Sequence, residues 1–296
     1  MPLPFDPTEL ARYGGLSLVA RTVVEGFLSG VHRSPFKGFS VEFAEHRQYY
    51  PGDEIRHIDW RVLAKTDRYY IKEFEEETNL KAYLVVDASG SMRYRGKQRH
   101  SKFEYAQQVA ASLAYLMLAQ LDAVGLITHD TKVRDLVPAK TSSKHLLTLL
   151  RTLEKTTPGG ETDLAPVWHE LAGKHLKRRG LVVILSDCFD AADALGRALQ
   201  HLRYRNHEVL LFHVLAPEEL EFPFKQPTKF RDLERAGNEV LTDARRLREE
   251  YLKNFTEYRE ALRRRAEDYR IDYVMLRTDE PVDRALGAYL AKRAVR

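Results

Sequence analysis

The sequence has a single cysteine, Cys188, among 296 residues. A lone thiol forms no internal disulfide, and it excludes zinc-finger and iron–sulfur frameworks. No apolar run approaches the ~18 residues needed to cross a bilayer. The start, MPLPFDPTELARYGG, has no charged stretch followed by an apolar one, so it does not read as a signal peptide. Proline (12) and glycine (16) are too scarce for collagen-like or low-complexity chain. Charge of one sign is also lacking: 47 basic residues against 43 acidic give +4, too little to imply nucleic acid. In Asp243–Arg270, nine basic residues mix with seven acidic ones, the mark of a solvated, ion-paired helix face rather than a phosphate track. What is present, 44% hydrophobic and 30% charged residues, is globular composition. The expectation is a cytoplasmic protein with no nucleic acid and no membrane span.

The first 30 residues carry Leu10, Tyr13, Leu16, Val19, Val23 and Phe27 at roughly helical spacing, with Gly26 and Gly30 near the end. A Gly- and aromatic-rich stretch comes next, in which Phe39-Ser40-Val41-Glu42-Phe43 alternates as a short strand. We expect residues 1–77 to form a helix and β segment packed on a main domain made of residues 78–296.

From about residue 70 strands and helices alternate. Apolar runs at 80–88, 122–128, 180–187, 208–215 and 271–277 have strand length. Between them lie amphipathic helices starting near Phe103, Ser142, Asp163 and Ala191, then a long one bearing Leu247, Tyr251, Phe255, Tyr258 and Leu262. The polar run 131–137 suits an edge strand, and 216–242 reads as irregular. This pattern predicts a doubly wound, mostly parallel sheet covered by helices on both faces. Ligands of such sheets sit beyond the carboxyl ends of the strands, where strand order switches.

Three polar clusters fall at those crests: Asp87-Ala88-Ser89-Gly90-Ser91, Gly159-Gly160-Glu161-Thr162-Asp163, and Ser186-Asp187. Two serines at i and i+2 with glycine between them can point the same way, and a threonine from a second loop would complete a hydroxyl face. A hard cation such as Mg²⁺ takes about six oxygens and keeps several waters. Carboxylates acting through those waters would fix the ligands without cancelling the ion's charge.

The arrangement resembles the metal-ion-dependent adhesion site (MIDAS) of von Willebrand factor A domains, with its Asp-x-Ser-x-Ser, a Thr on a second loop and an Asp on a third. Asp87, Ser89, Ser91, Thr162 and Asp187 match it in order. Carried over, Ser89, Ser91 and Thr162 are expected direct ligands, and Asp87 and Asp187 are expected to act through water. The metal is expected to be Mg²⁺, with Mn²⁺ or Ca²⁺ as alternatives. The resemblance also implies a von Willebrand A-like α/β fold with one antiparallel edge strand, for which 131–137 is the candidate.

Upstream, Arg47-x-Tyr49-x-x-Gly52-Asp53-x-x-Arg56-x-Ile58-Asp59-Trp60, followed by Lys72-Glu73-Phe74, resembles the signature of a bacterial family, domain of unknown function 58. That resemblance implies association with MoxR-type AAA+ ATPases, and it is to the family's short form without transmembrane helices. The expected function is a metal-dependent protein-interaction module, not an enzyme. Its partner would offer a carboxylate and would be a MoxR-type ATPase or its client.

Plainer readings stand beside these. Asp87-x-Ser89-x-Ser91 is also the composition of a capped strand-to-helix turn. Gly159-Gly160 fits a flexible turn, Trp168 a core position and Cys188 a space-filling one. Arg47, Asp53, Arg56, Asp59 and Trp60 fit an ion-paired structural plug, and His57 and His129 fit the surface. A metal-assisted hydrolase and an adaptor with a vestigial site are the alternatives. The run from Gly90 to Gln98 lacks P-loop spacing, and no Gly-x-Ser-x-Gly elbow is present.

Overall fold

The structure is a computed structural model that describes residues 15–30, 40–48, 62, 69–77, 81–235 and 237–294. The chain divides into two units, Phe36–Leu80 and the remainder.

In the smaller unit, β1 (Ser40–Gln48) pairs antiparallel with β2 (Tyr70–Glu77). The strand runs further than the 39–43 alternation suggests, because a bulge between Phe43 and Glu45 lets pairing continue past the break in pattern. Arg47 lies opposite Ile71 and His46 opposite Lys72, so the two ends of the upstream motif share one ladder. Tyr49, Gly52, Asp53, Arg56, His57, Ile58, Asp59 and Trp60 lie outside the described residues.

In the larger unit, α1 (Gly15–Gly30) buries Ala20, Val23 and Val24 and packs on α2 (Lys102–Ala119). This helix therefore belongs with the main sheet and not with the β1–β2 pair. The sheet is built from β3 (Lys81–Asp87), β4 (Ala123–His129), β5 (Val133–Lys140), β6 (Leu181–Ser186), β7 (Glu208–Leu215) and β10 (Asp272–Arg277). Its order is β10-β7-β6-β3-β4-β5. Every pair is parallel except β4–β5, so the edge strand read from 131–137 is antiparallel as expected. This is a mixed α/β arrangement, a mostly parallel six-stranded sheet with one antiparallel edge, as the resemblance implies.

The remaining helices are α3 (Ser143–Lys155), α4 (Leu164–Glu170), α5 (Ala192–Tyr204), α6 (Pro217–Glu221), α7 (Ala244–Asp268) and α8 (Val282–Ala294). Val85, Ile127, Val182, Ile184 and Leu211 form one core with Trp168 of α4, Leu195 and Leu199 of α5, and Leu262 of α7. Trp168 is fully buried there, as the sequence suggests. The alternate strand residues Leu84, Val86, Leu185 and Phe212 are equally buried, as strands covered on both faces require. Each such Leu or Val contributes about 1.5–3 kcal/mol relative to exposure.

The stretch 216–242 is not irregular throughout. It holds α6 and a hairpin, β8 (Pro227–Arg231) with β9 (Glu239–Asp243). Its strands are short and largely exposed, and ion pairs of Lys229 and Arg231 with Glu239 link them, so no apolar periodicity marks them. Among the described residues no helix is long and apolar enough to cross a membrane.

Candidate metal centre

The chain leaves β3 toward β4 and β5 on one side of the sheet and toward β6, β7 and β10 on the other. The carboxyl ends of β3 and β6 therefore meet at the switch in strand order. Asp87 ends β3 and is fully buried. Its Oδ1 accepts the Ser89 N–H at 2.9 Å, and its Oδ2 accepts the Ser186 hydroxyl at 2.6 Å. Ser186 Oγ in turn accepts the Cys188 N–H at 2.9 Å. One serine thus ties the crest of β3 to the crest of β6. Burial, and then the nearby Asp187 carboxylate, push the Asp87 carboxyl up to about 7. A cation beside the carboxyl would reverse that rise.

Ser89 Oγ and Ser91 Oγ lie 3.1 Å apart, in a crest where Ser89 is fully buried and Ser91 partly so. Two oxygens on adjacent vertices of a Mg²⁺ octahedron would be about 2.9 Å apart, given Mg–O distances of about 2.0–2.1 Å. The hydroxyl pair fits that edge. Among the described residues no three His, Cys, Asp or Glu side chains gather into a metal cage.

The threonine loop is bound onto the same crest. Gly90 N–H donates to Gly160 O at 2.9 Å, and Gly159 N–H to Ala88 O at 2.8 Å. Gly160 has φ +85, a conformation that favours glycine. Arg93 Nε holds Pro158 O at 2.8 Å, and Arg134 reaches Thr157 O at 2.7 Å while pairing with Asp130. The Gly159–Gly160 turn is thus fastened from three sides, not the flexible turn its composition suggests. Thr162 follows one residue further on, past Glu161, and its N–H donates to Glu234 Oε2 at 3.0 Å while its hydroxyl donates to Glu234 Oε1.

Asp187, on the third loop, is nearly buried, and Lys102 Nζ stands 2.7 Å from its Oδ2 and 2.7 Å from Glu219 Oε1. Burial alone would push the Lys102 ammonium down, but the two carboxylates hold it above its usual range. His213 supports the loop from below. Its Nε2 lies 2.9 Å from the Asp187 carbonyl, which can only accept, so Nδ1 takes the Tyr273 hydroxyl at 2.7 Å. Burial pushes the imidazole down to about 4, so it is neutral, as that pattern demands.

The structure thus joins Asp87, Ser89 and Ser91 directly, brings Asp187 within electrostatic range of Asp87, and binds the Thr162 loop to the same backbone. Sequence reasoning missed Lys102, Glu219 and Glu234. Lys102 opens a helix where a solvent-facing lysine is the default, and Glu234 lies 72 residues from the threonine it meets. Phe189, two residues past Asp187, is 69% exposed at the rim. His129 is a correction: it is fully buried, its Nε2 facing Trp168 Nε1–H at 3.5 Å, because β4 is covered on both faces. Cys188 fills space, buried at φ 54, with its carbonyl accepting the Tyr258 hydroxyl.

A family model described as "Protein of unknown function DUF58" matches residues 45–261. The uncharacterized protein Rv1480 of Mycobacterium tuberculosis (strain ATCC 25618 / H37Rv) is 29% identical over 277 residues, 93% of this chain and 86% of its own. Among solved structures, an aerotolerance-related membrane protein of Bacteroides fragilis NCTC 9343 superposes with a TM-score of 0.50 at 16% identity, over 73% of this chain and 98% of that one. The SpRpn10 VWA domain does so with a TM-score of 0.43 at 12% identity, over 71% and 94%.

Proposed function

We infer that this chain, which belongs to the DUF58 family, is a metal-dependent protein-interaction module. One observation carries the reading: two hydroxyls 3.1 Å apart, set over a buried carboxylate where the strand order of the sheet switches. Ser89, Ser91 and Thr162 would hold Mg²⁺ directly, and Asp87 and Asp187 through water. The bound ion would supply an electrophilic point able to take a partner's Glu or Asp, because its protein ligands leave its charge largely uncancelled. Exposed Phe189 offers an apolar contact beside it. The partner we propose is a MoxR-type AAA+ ATPase or a client of one, on the strength of the upstream motif's resemblance.

A second reading has its own observation. Lys102 already gives Asp187 a positive partner at 2.7 Å, which favours an adaptor whose site no longer needs metal. A pull-down with the tagged chain in Mg²⁺ and in EDTA, beside a Ser89→Ala/Ser91→Ala variant, separates the two. We expect an AAA+ ATPase to be captured only with metal and intact serines. Capture that ignores both chelator and serines would establish the adaptor instead.

A further inference from the structure

We propose that the tip of the β8–β9 hairpin supplies an acidic ligand to this site from within the chain. Glu234 then stands where a partner's carboxylate would otherwise be taken. The inference rests on the metal-site reading above and adds a residue to it.

Glu234 engages Thr162 with both carboxylate oxygens, one on the amide and one on the hydroxyl. The hairpin tip also lies directly on the serine crest. A Cβ built on Gly90, between the two serines, would come 2.6 Å from Leu233 O and 3.1 Å from Glu234 Cα. Backbone is packed on backbone there, so the tip covers the crest.

The tip is built to hold this pose. Asp232 Oδ1 accepts the N–H groups of Glu234 and Arg235 at 2.9 and 3.1 Å, while its Oδ2 takes Asn238 Nδ2 at 3.1 Å. Arg235 then forks onto Glu161, with 3.2 Å to each oxygen, beside the Glu234–Thr162 contact. Two neighbouring residues of the tip are thereby clasped to two neighbouring residues of the threonine loop.

Charge argues that this is more than a clasp. Asp87 and Asp187 already place carboxylates in the pocket, and Lys102 faces Asp187 and Glu219. A metal ion held by the neighbouring hydroxyls would take Glu234 as a charged oxygen donor, which a neutral amide cannot match. The choice of Glu at 234 makes sense with a metal in place. A partner's acid must then displace Glu234, and the hairpin becomes the element that sets how tightly the site takes an outside ligand.

The test is Mn²⁺ binding to the full chain, followed by electron paramagnetic resonance of the free ion, for the wild type, Glu234→Gln and Ser89→Ala, with and without acetate. We expect Glu234→Gln to bind Mn²⁺ about 10-fold or more weakly, and acetate to restore its affinity while leaving the wild type unchanged. If Glu234→Gln binds as tightly as wild type while Ser89→Ala does not, the internal-ligand proposal fails and the metal site stands. If wild type and Ser89→Ala bind equally weakly, the metal site fails and the proposal falls with it.

Discussion

Lys102 is buried between two carboxylates, with side-chain exposure of 3% against 2% for Asp187 and 24% for Glu219. Such a pair stabilises little relative to apolar packing, but breaking it strands a charge away from water, at a cost of about 3–5 kcal/mol. We expect Lys102→Met to lose about that much in urea denaturation. Adding Asp187→Asn should return part of the loss, and equal stability of the single and double variants would show that the two side chains are not coupled. The neutral histidines give a second expectation at this scale. Burial pushes the His129 imidazole down to about 4 from an ordinary value near 6.5. The unfolded chain thus takes up that proton first as pH falls. Stability owed to neutral His129 is complete above pH 6.5, declines toward pH 4 and is lost below it, by up to about 3 kcal/mol. The stability gap between wild type and His129→Gln should therefore narrow by that order between pH 7.5 and 4. A gap constant with pH would mean that His129 keeps its ordinary affinity for protons.

Among the elements, Gly90 joins the hairpin to the sheet crest. A methyl group there meets Leu233 O at 2.6 Å and Gly160 O at 2.7 Å, both backbone, so no side chain can swing aside. We expect Gly90→Ala to lift the hairpin tip, seen as faster amide exchange across 227–243 with little change in β3 or β6. Unchanged exchange in the hairpin would mean that the crest itself yields. The buried strands are legible in sequence because β3, β4, β6 and β7 are nearly continuous apolar runs. Helix α2 is legible too, opening on a complete capping box of Ser101 and Glu104. The hairpin is not, since its turn is closed by the Asp232 side chain and its strands by charges, which leave no hydrophobic period. The candidate ligands were legible for a different reason: short oxygen-bearing residues fall where the strands end. Their supports were not, because Arg93, Arg134, Lys102 and Glu234 reach the site across 65, 23, 85 and 72 positions of sequence respectively.

At the scale of the molecule, everything of chemical interest hangs on the neighbourhood of two adjacent strands, β3 and β6, from which the rest of the sheet grows outward in opposite directions. Cys188 sits just past the end of β6, wholly enclosed, and its thiol is pushed well above its usual range first by burial and then by Asp187 and Asp87. Because it is the chain's single thiol, a sulfhydryl reagent has one target. That target becomes reactive only when the third loop parts from Tyr258 and Ser186. The colour released by an aromatic disulfide reagent would then act as a stopwatch on the breathing of this crest, with no dye, tag or substitution introduced to run it.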